Sequence, residues 1–267
     1  MWHRLHTKGV TWDVQAWWVE ILTILAGYGL YEIVQGAAPA HRTPAFEDAR
    51  HLISFERWLH IDAEPAVNHF VNAHAALAYI AGYYYDSLHY LVTPTVLLFL
   101  WFRRQNAYAR WRSALVAASV ASLLVFWLWA LAPPRMAQPG IIDTLAVRHI
   151  LGTVEGNDSK TLVNNFAAMP SLHVGWALWC AWALISTTSW RLRHAFWLYP
   201  VLTVFVVMGT GNHYILDAAG GLLVLAIGIA LTSPAASPND RAVSRPVRKR
   251  NVAQPATTSA PTGISAR

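Results

Sequence analysis

Cysteine is almost missing from this 267-residue chain. Cys180 stands alone, so no intrachain disulfide can form. Charge is scarce too. Asp, Glu, Lys and Arg make up 13% of the residues, about half the share of a typical soluble domain. That shortage argues against a surface built to face water on all sides. Residues 1–15 do not read as a secretory signal: they are polar and aromatic, and no small-residue cleavage site follows the first apolar run. That run is therefore expected to stay as a transmembrane helix. No internal repeat is visible. The net charge of +6 does not mark a nucleic-acid protein, because the basic residues fall in short loops and in the tail rather than along one soluble face.

What the chain has in abundance is apolar and aromatic. Hydrophobic residues are 55% of it, with 14 Trp and 10 Tyr, as suits wide interfacial belts where amphipathic rings sit at headgroup level. Six runs approach the roughly 20 residues needed to cross a bilayer core: 16–34, 83–102, 113–132, 172–189, 195–211 and 213–232. The expected fold is all-α, an integral membrane bundle of about six helices. The second apolar stretch begins near Ala73, so its first part should tilt, break or lie at the interface. Residues 41–70 read as an amphipathic external segment. The Pro-, Ser- and Arg-rich tail, 233–267, reads as disordered.

Basic residues set the expected orientation. Residues 1–15, the short loops around Arg103–Arg112 and Arg191–Arg193, and the tail fall on one side and are expected in the cytoplasm. The longer segments 35–82 and 133–171 then face outward. Arginine outnumbers lysine 17 to 3, a composition expected of a GC-rich bacterial genome and hence of a plasma membrane.

Three separated segments reach the same outer boundary when about 20 residues are counted along each span. They are Ala132-Pro133-Pro134-Arg135, Met169-Pro170-Ser171-Leu172-His173 and Gly211-Asn212-His213-Tyr214-Ile215-Leu216-Asp217. His213 and Asp217 are four residues apart, on one helical face. A carboxylate accepting one ring N–H of a histidine fixes its tautomer and frees the other nitrogen for attack. A second histidine, His173, can protonate a leaving oxygen. Arg135 can hold phosphate bidentately. Ser171 makes a plausible helix cap whose neighbouring N–H groups meet an anion, with Asn212 beside the nucleophile as a further phosphate-facing group. These are the parts of in-line phosphoryl transfer. The competing readings are a helix-surface ion pair and a zinc site on His173, His213 and Asp217, for which no fourth ligand is evident. A site without metal or cofactor is expected.

The second and third segments resemble signatures of the type 2 phosphatidic acid phosphatase superfamily. Leu172, where most members have Gly, and the His213-Tyr214 pair are similar to its inositol phosphorylceramide synthase-like branch. The resemblance implies a PAP2-like helical core over roughly 70–232, with His213 as nucleophile, Asp217 as its orienter, His173 as acid/base and Arg135 as phosphate ligand. It also implies a lipid substrate with a phosphate-containing headgroup. Two cations of the usual pattern are missing: no Lys precedes Arg135 in the first signature, and Val207 stands where an Arg is usual. Arg148 and Lys160 are the candidate substitutes. The departures fit a headgroup phosphotransferase with a polyol or lipid-alcohol acceptor. A phosphatase using water is the alternative, and a non-catalytic transporter or scaffold on the same bundle is a third.

A further cluster, Tyr83-Tyr84-Tyr85-Asp86-Ser87-Leu88-His89, falls at the same depth. Asp86 and His89 are expected to line the acceptor or headgroup pocket, the plainer alternative being a hydrogen bond between them. Gly220-Gly221 are expected to allow close helix packing.

Overall fold

An apolar stripe at helical spacing, Ala45, Ala49, Leu52 and Ile53, is buried along its whole length. It belongs to α1, Arg42–Leu59. The computed structural model describes residues 18, 22, 25–27, 29, 42–150 and 165–232. The expected first span, residues 1–15, Lys160 and the expected disordered tail lie wholly or largely outside them. Helix α2, Glu64–Ala73, begins with Pro65 in its first turn, where a missing N–H costs nothing.

His74 is extended and breaks the chain direction. Helix α3, Ala75–Tyr83, then runs into a π-turn, Tyr84–Leu88, and on into α4, His89–Arg103. The overlong apolar stretch is thus divided by one break and one π-turn. Helix α5 spans Gln105–Leu128, which corrects the expected 113–132. Its first two turns hold polar residues and arginines whose long stems can lie along an apolar wall, and nothing there stops a helix. At the other end Pro133 and Pro134 force the chain out of helix, and Trp129 is already extended.

Two short helices follow, α6 (Pro134–Ala137) and α7 (Thr144–Val147). Helix α8, Leu172–Thr187, starts where Ser171 accepts the N–H of Val174, as the sequence suggests. A 3₁₀ turn, Arg193–Trp197, leads into α9, Leu198–Gly209, and α10 spans Ile215–Thr232. The described residues are all-α, ten α-helices in all, with one isolated parallel bridge between Leu131 and Ala167.

Helices α5 and α10 are long and apolar enough to cross a membrane, and α8 and Arg193–Gly209 are shorter apolar helices. Leu128 is 81% exposed and Leu231 73%. Such outward leucines suit lipid rather than water. Helix α10 is central and packs on α5 and α8. Small residues set the approach: a Cβ on Gly221 would lie 2.6 Å from the Ser171 carbonyl oxygen, and one on Gly228 2.6 Å from that of Ala114. The close packing expected at Gly220-Gly221 is therefore present. It fixes the start of α8, and His173 with it, against the helix that carries Asp217.

Candidate active site

The turn between α9 and α10 places the histidine. Gly211 has φ +77°, and a Cβ there would meet the Ile142 carbonyl oxygen at 2.9 Å, so only glycine fits this turn. The turn is stitched from two sides. Arg135 N–H donates to the Gly211 carbonyl at 2.9 Å. Asn68 of α2 donates to the carbonyls of Gly209 and Ile142, both at 2.9 Å, and accepts the Ile142 N–H at 2.8 Å.

His213 is 5% exposed. Its Nδ1 lies 2.8 Å from the Ala168 carbonyl oxygen and 3.2 Å from Asp217 Oδ2. A carbonyl can only accept, so Nδ1 carries the proton and Nε2 keeps its lone pair. The sequence points to Asp217 for this task. Ala168 is the partner it misses, because a backbone acceptor leaves no mark in a residue pattern. The segment that presents Ala168 is held beside the extended Ala130–Pro133 stretch by the Leu131 N–H to the Phe166 carbonyl at 2.7 Å. Asp217 is fully buried, and its Oδ2 also accepts the Tyr214 N–H at 2.9 Å. Tyr214 in turn donates its hydroxyl to the Ala132 carbonyl at 3.0 Å.

Arg135 stands next to Asn212, the chain neighbour of His213. Its guanidinium donates to Asn212 Oδ1 and pairs with Asp143 at 3.3 Å. One planar cation is thus held in place by two fixed acceptors beside the His213 turn. Ser171 is wholly buried, and its N–H donates to the Asp217 carbonyl at 2.9 Å.

The ring of His173 lies 5.7 Å from that of His213, centre to centre. Tyr85 stacks on His173 at 4.2 Å, and His89 meets it edge-on at 4.4 Å. Tyr85 is a second residue the sequence does not single out among three consecutive tyrosines. A small cavity beside His173 is lined by Tyr84, Tyr85, His89, Thr203 and Val207 among others, and His213 is not among its lining residues. His89 thus lies in this cavity's wall and against the His173 ring. Asp86 is not among the residues lining that cavity, and the alternative of an Asp86–His89 hydrogen bond is not realised. Arg148 is not brought to the histidines. Its guanidinium donates to the Asn72 carbonyl at 3.2 Å and lies over the Tyr79 ring.

The assembly offers a buried imidazole, His213, with its Nδ1 held, a second imidazole in reach, and an oriented guanidinium. These are the requirements of nucleophilic transfer to an anionic group inside a helical bundle. A model of the PAP2 superfamily matches residues 50–231, and the chain belongs to that superfamily. Its members are generally phosphatases and phosphotransferases acting on lipid phosphates. No curated protein and no solved structure matches the chain.

Replacing Arg135 by Ala should lower kcat/KM on a lipid phosphate by roughly 100-fold or more, the cost of losing one preorganised donor to developing charge. Arg135→Lys should recover little, since a point charge cannot reproduce the planar fork. A kcat/KM for Arg135→Ala within a few-fold of wild type would remove Arg135 from the phosphate site.

Proposed function

We propose that this chain is an integral membrane phosphotransferase. It moves a phosphate-containing headgroup from a lipid phosphoester to an alcohol acceptor through a phosphohistidine on His213. The observation that carries this reading is the double hold on His213 Nδ1 by Ala168 and Asp217, which leaves Nε2 as a free nucleophile.

In the first step Nε2 attacks phosphorus, the bond to the leaving oxygen breaks, and His173 gives that oxygen a proton. In the second, His173 takes the proton of the acceptor hydroxyl, whose oxygen attacks phosphorus and releases His213. Arg135, fixed by Asn212 and Asp143, stabilises the equatorial oxygens. The N–H groups at the start of α8, behind Ser171, add positive potential on the same side.

The preference for an alcohol over water, and for an inositolphosphotransferase-like reaction, is supported by the cations the chain lacks. Val207 is 1% exposed and lines the cavity beside His173, where the phosphatases it resembles carry arginine. An apolar wall there favours an organic acceptor over an ordered water. The active site faces outward with both termini cytoplasmic, a reading supported by the basic residues in the short loops and tail.

The test uses purified protein in detergent with a panel of lipid phosphates, phosphodiesters and pyrophosphates. Product is measured with and without polyol and lipid-alcohol acceptors. Acceptor-dependent product with little free phosphate is expected. Free phosphate released at the same rate without acceptor would make the chain a phosphatase. No turnover on any member of the panel, with substrate-dependent flux instead, would replace the enzyme by a transporter.

A further inference from the structure

Helix α10 carries Asp217, yet its first free N–H groups are not met by solvent or by a local cap. Ile215 N–H donates to Glu64 Oε1 at 2.7 Å, and Leu216 N–H donates to Glu56 Oε1 at 2.9 Å. The two acceptors come from different helices, α1 and α2. Both glutamates are 1% exposed. In each the second oxygen, Oε2, is buried without a hydrogen-bond partner. A carboxyl group held this way, one oxygen used and one idle, has no packing reason to be there in place of a leucine. It has a positional one, because a helix N-terminus with unmet N–H groups is where an acidic acceptor is stabilised.

We propose that Glu56 and Glu64 are positioning residues that clamp the first turn of α10 and thereby set the geometry of the His213–Asp217 pair. This rests on the reading of His213 as nucleophile. The contacted positions, Ile215 and Leu216, lie between His213 and Asp217 in the chain. A shift of either N–H would move the carboxylate relative to the ring it orients. Misplacement of about 1 Å is enough to cost on the order of 100-fold in rate.

The clamp is also sensitive to pH. The charged groups around Glu56 are all acidic: Glu64 from α2, Asp217 from α10 and Asp62 from the connection between α1 and α2. Among the described residues neither glutamate has a basic partner, and Arg57 is turned to Asp62 at 3.8 Å instead. Burial, partly offset by the Leu216 N–H, pushes the Glu56 carboxyl up to about 8, and burial also raises that of Glu64. Glu56 is therefore protonated at neutral pH in the folded chain and ionised in the unfolded one. The folded state binds the extra proton between the usual carboxylate range and about pH 8, so stability falls as pH rises through that window. Once Glu56 ionises, its charge opposes Asp217 across the clamp.

Three proteins separate these effects: wild type, Glu56→Gln and Glu56→Leu, each purified as the full chain in detergent. Gln keeps an acceptor for the Leu216 N–H and cannot ionise. Leu keeps the volume and removes the acceptor. Thermal unfolding is followed from pH 5 to 9, and turnover of a lipid phosphate is measured over the same range. Wild type should lose melting temperature as pH rises to 8, and Glu56→Gln should not. At pH 6.5 the Gln variant should stay within about threefold of wild-type kcat, while Leu should lower kcat about tenfold or more with KM little changed. The alkaline fall of kcat near pH 8 should be absent in the Gln variant. A Gln variant whose melting temperature tracks wild type across this range, or a Leu variant with wild-type kcat, would overturn the clamp. If wild type turns over no lipid phosphate, the proposed function fails, and the melting profiles alone decide the clamp.

Discussion

His213→Ala should abolish turnover, by about 10⁴-fold or more, because both steps of the proposed scheme pass through a covalent bond to His213 and catalytic groups that act as a unit do not share its task. The same change should abolish a trapped phosphoenzyme. In wild type, brief exposure to a lipid substrate labelled at phosphorus and quenching in alkali should leave label on the protein, and acid should remove it, as the chemistry of a phosphorus–nitrogen bond requires. The variant removes a donor from two buried acceptors, the Ala168 carbonyl and Asp217, so a lower melting temperature is expected. An unmet buried acceptor costs about 1–3 kcal/mol. His213→Gln, whose side-chain amide can offer a donor, should recover part of that stability and none of the turnover. Both variants must elute as monodisperse protein for the comparison to count. Label retained on either variant would move the nucleophile elsewhere, with His173 the next place to look.

The reach of the sequence can be followed residue by residue. Arg135, Ser171, His173, His213 and Asp217 were legible together because spans have a fixed length, so counting inward from basic loops brings distant motifs to one depth. Ser171 was legible as a cap because Pro-Ser before an apolar run is a helix start. The onset of α5 was not, since Gln105–Arg112 looks like loop by charge, while its Gln, Ala and Arg residues are good helix formers and no Pro or Gly interrupts them. Tyr85 was not legible either. The π-turn of Tyr84–Leu88 changes the helical phase within the tyrosine run, so Tyr84 turns to Thr203 while Tyr85 meets His173. Glu56 carries a signal in the sequence itself. It continues the buried stripe of Ala45, Ala49 and Leu52 at helical spacing, and a carboxylate on an apolar face asks for a partner. Arg148, a candidate substitute for a missing cation, is committed to Asn72 and Tyr79 instead.

The second large effect belongs to His173, and it should depend on the leaving group. His173→Asn removes a proton donor in the first step and a base in the second. With an alkyl phosphoester, whose leaving oxygen is strongly basic, both steps suffer, and loss of about 10²- to 10⁴-fold is expected for general acid–base catalysis. With an aryl phosphoester such as a nitrophenyl phosphate, the leaving oxygen departs without a proton. The first step should then run close to the wild-type rate while the second stays slow. Phosphohistidine should therefore accumulate, and rapid mixing should show a burst of nitrophenol approaching one equivalent, followed by slow turnover. Wild type should show a smaller burst or none. The geometry adds a control. Tyr85 stacks on the face of His173 at 4.2 Å but carries no proton in this scheme, so Tyr85→Phe, which keeps the ring and loses the hydroxyl, should change neither the burst nor the leaving-group dependence. Equal losses for His173→Asn on alkyl and aryl esters would show that His173 positions substrate and moves no proton. The acid would then be sought at His89, the other imidazole in contact with it.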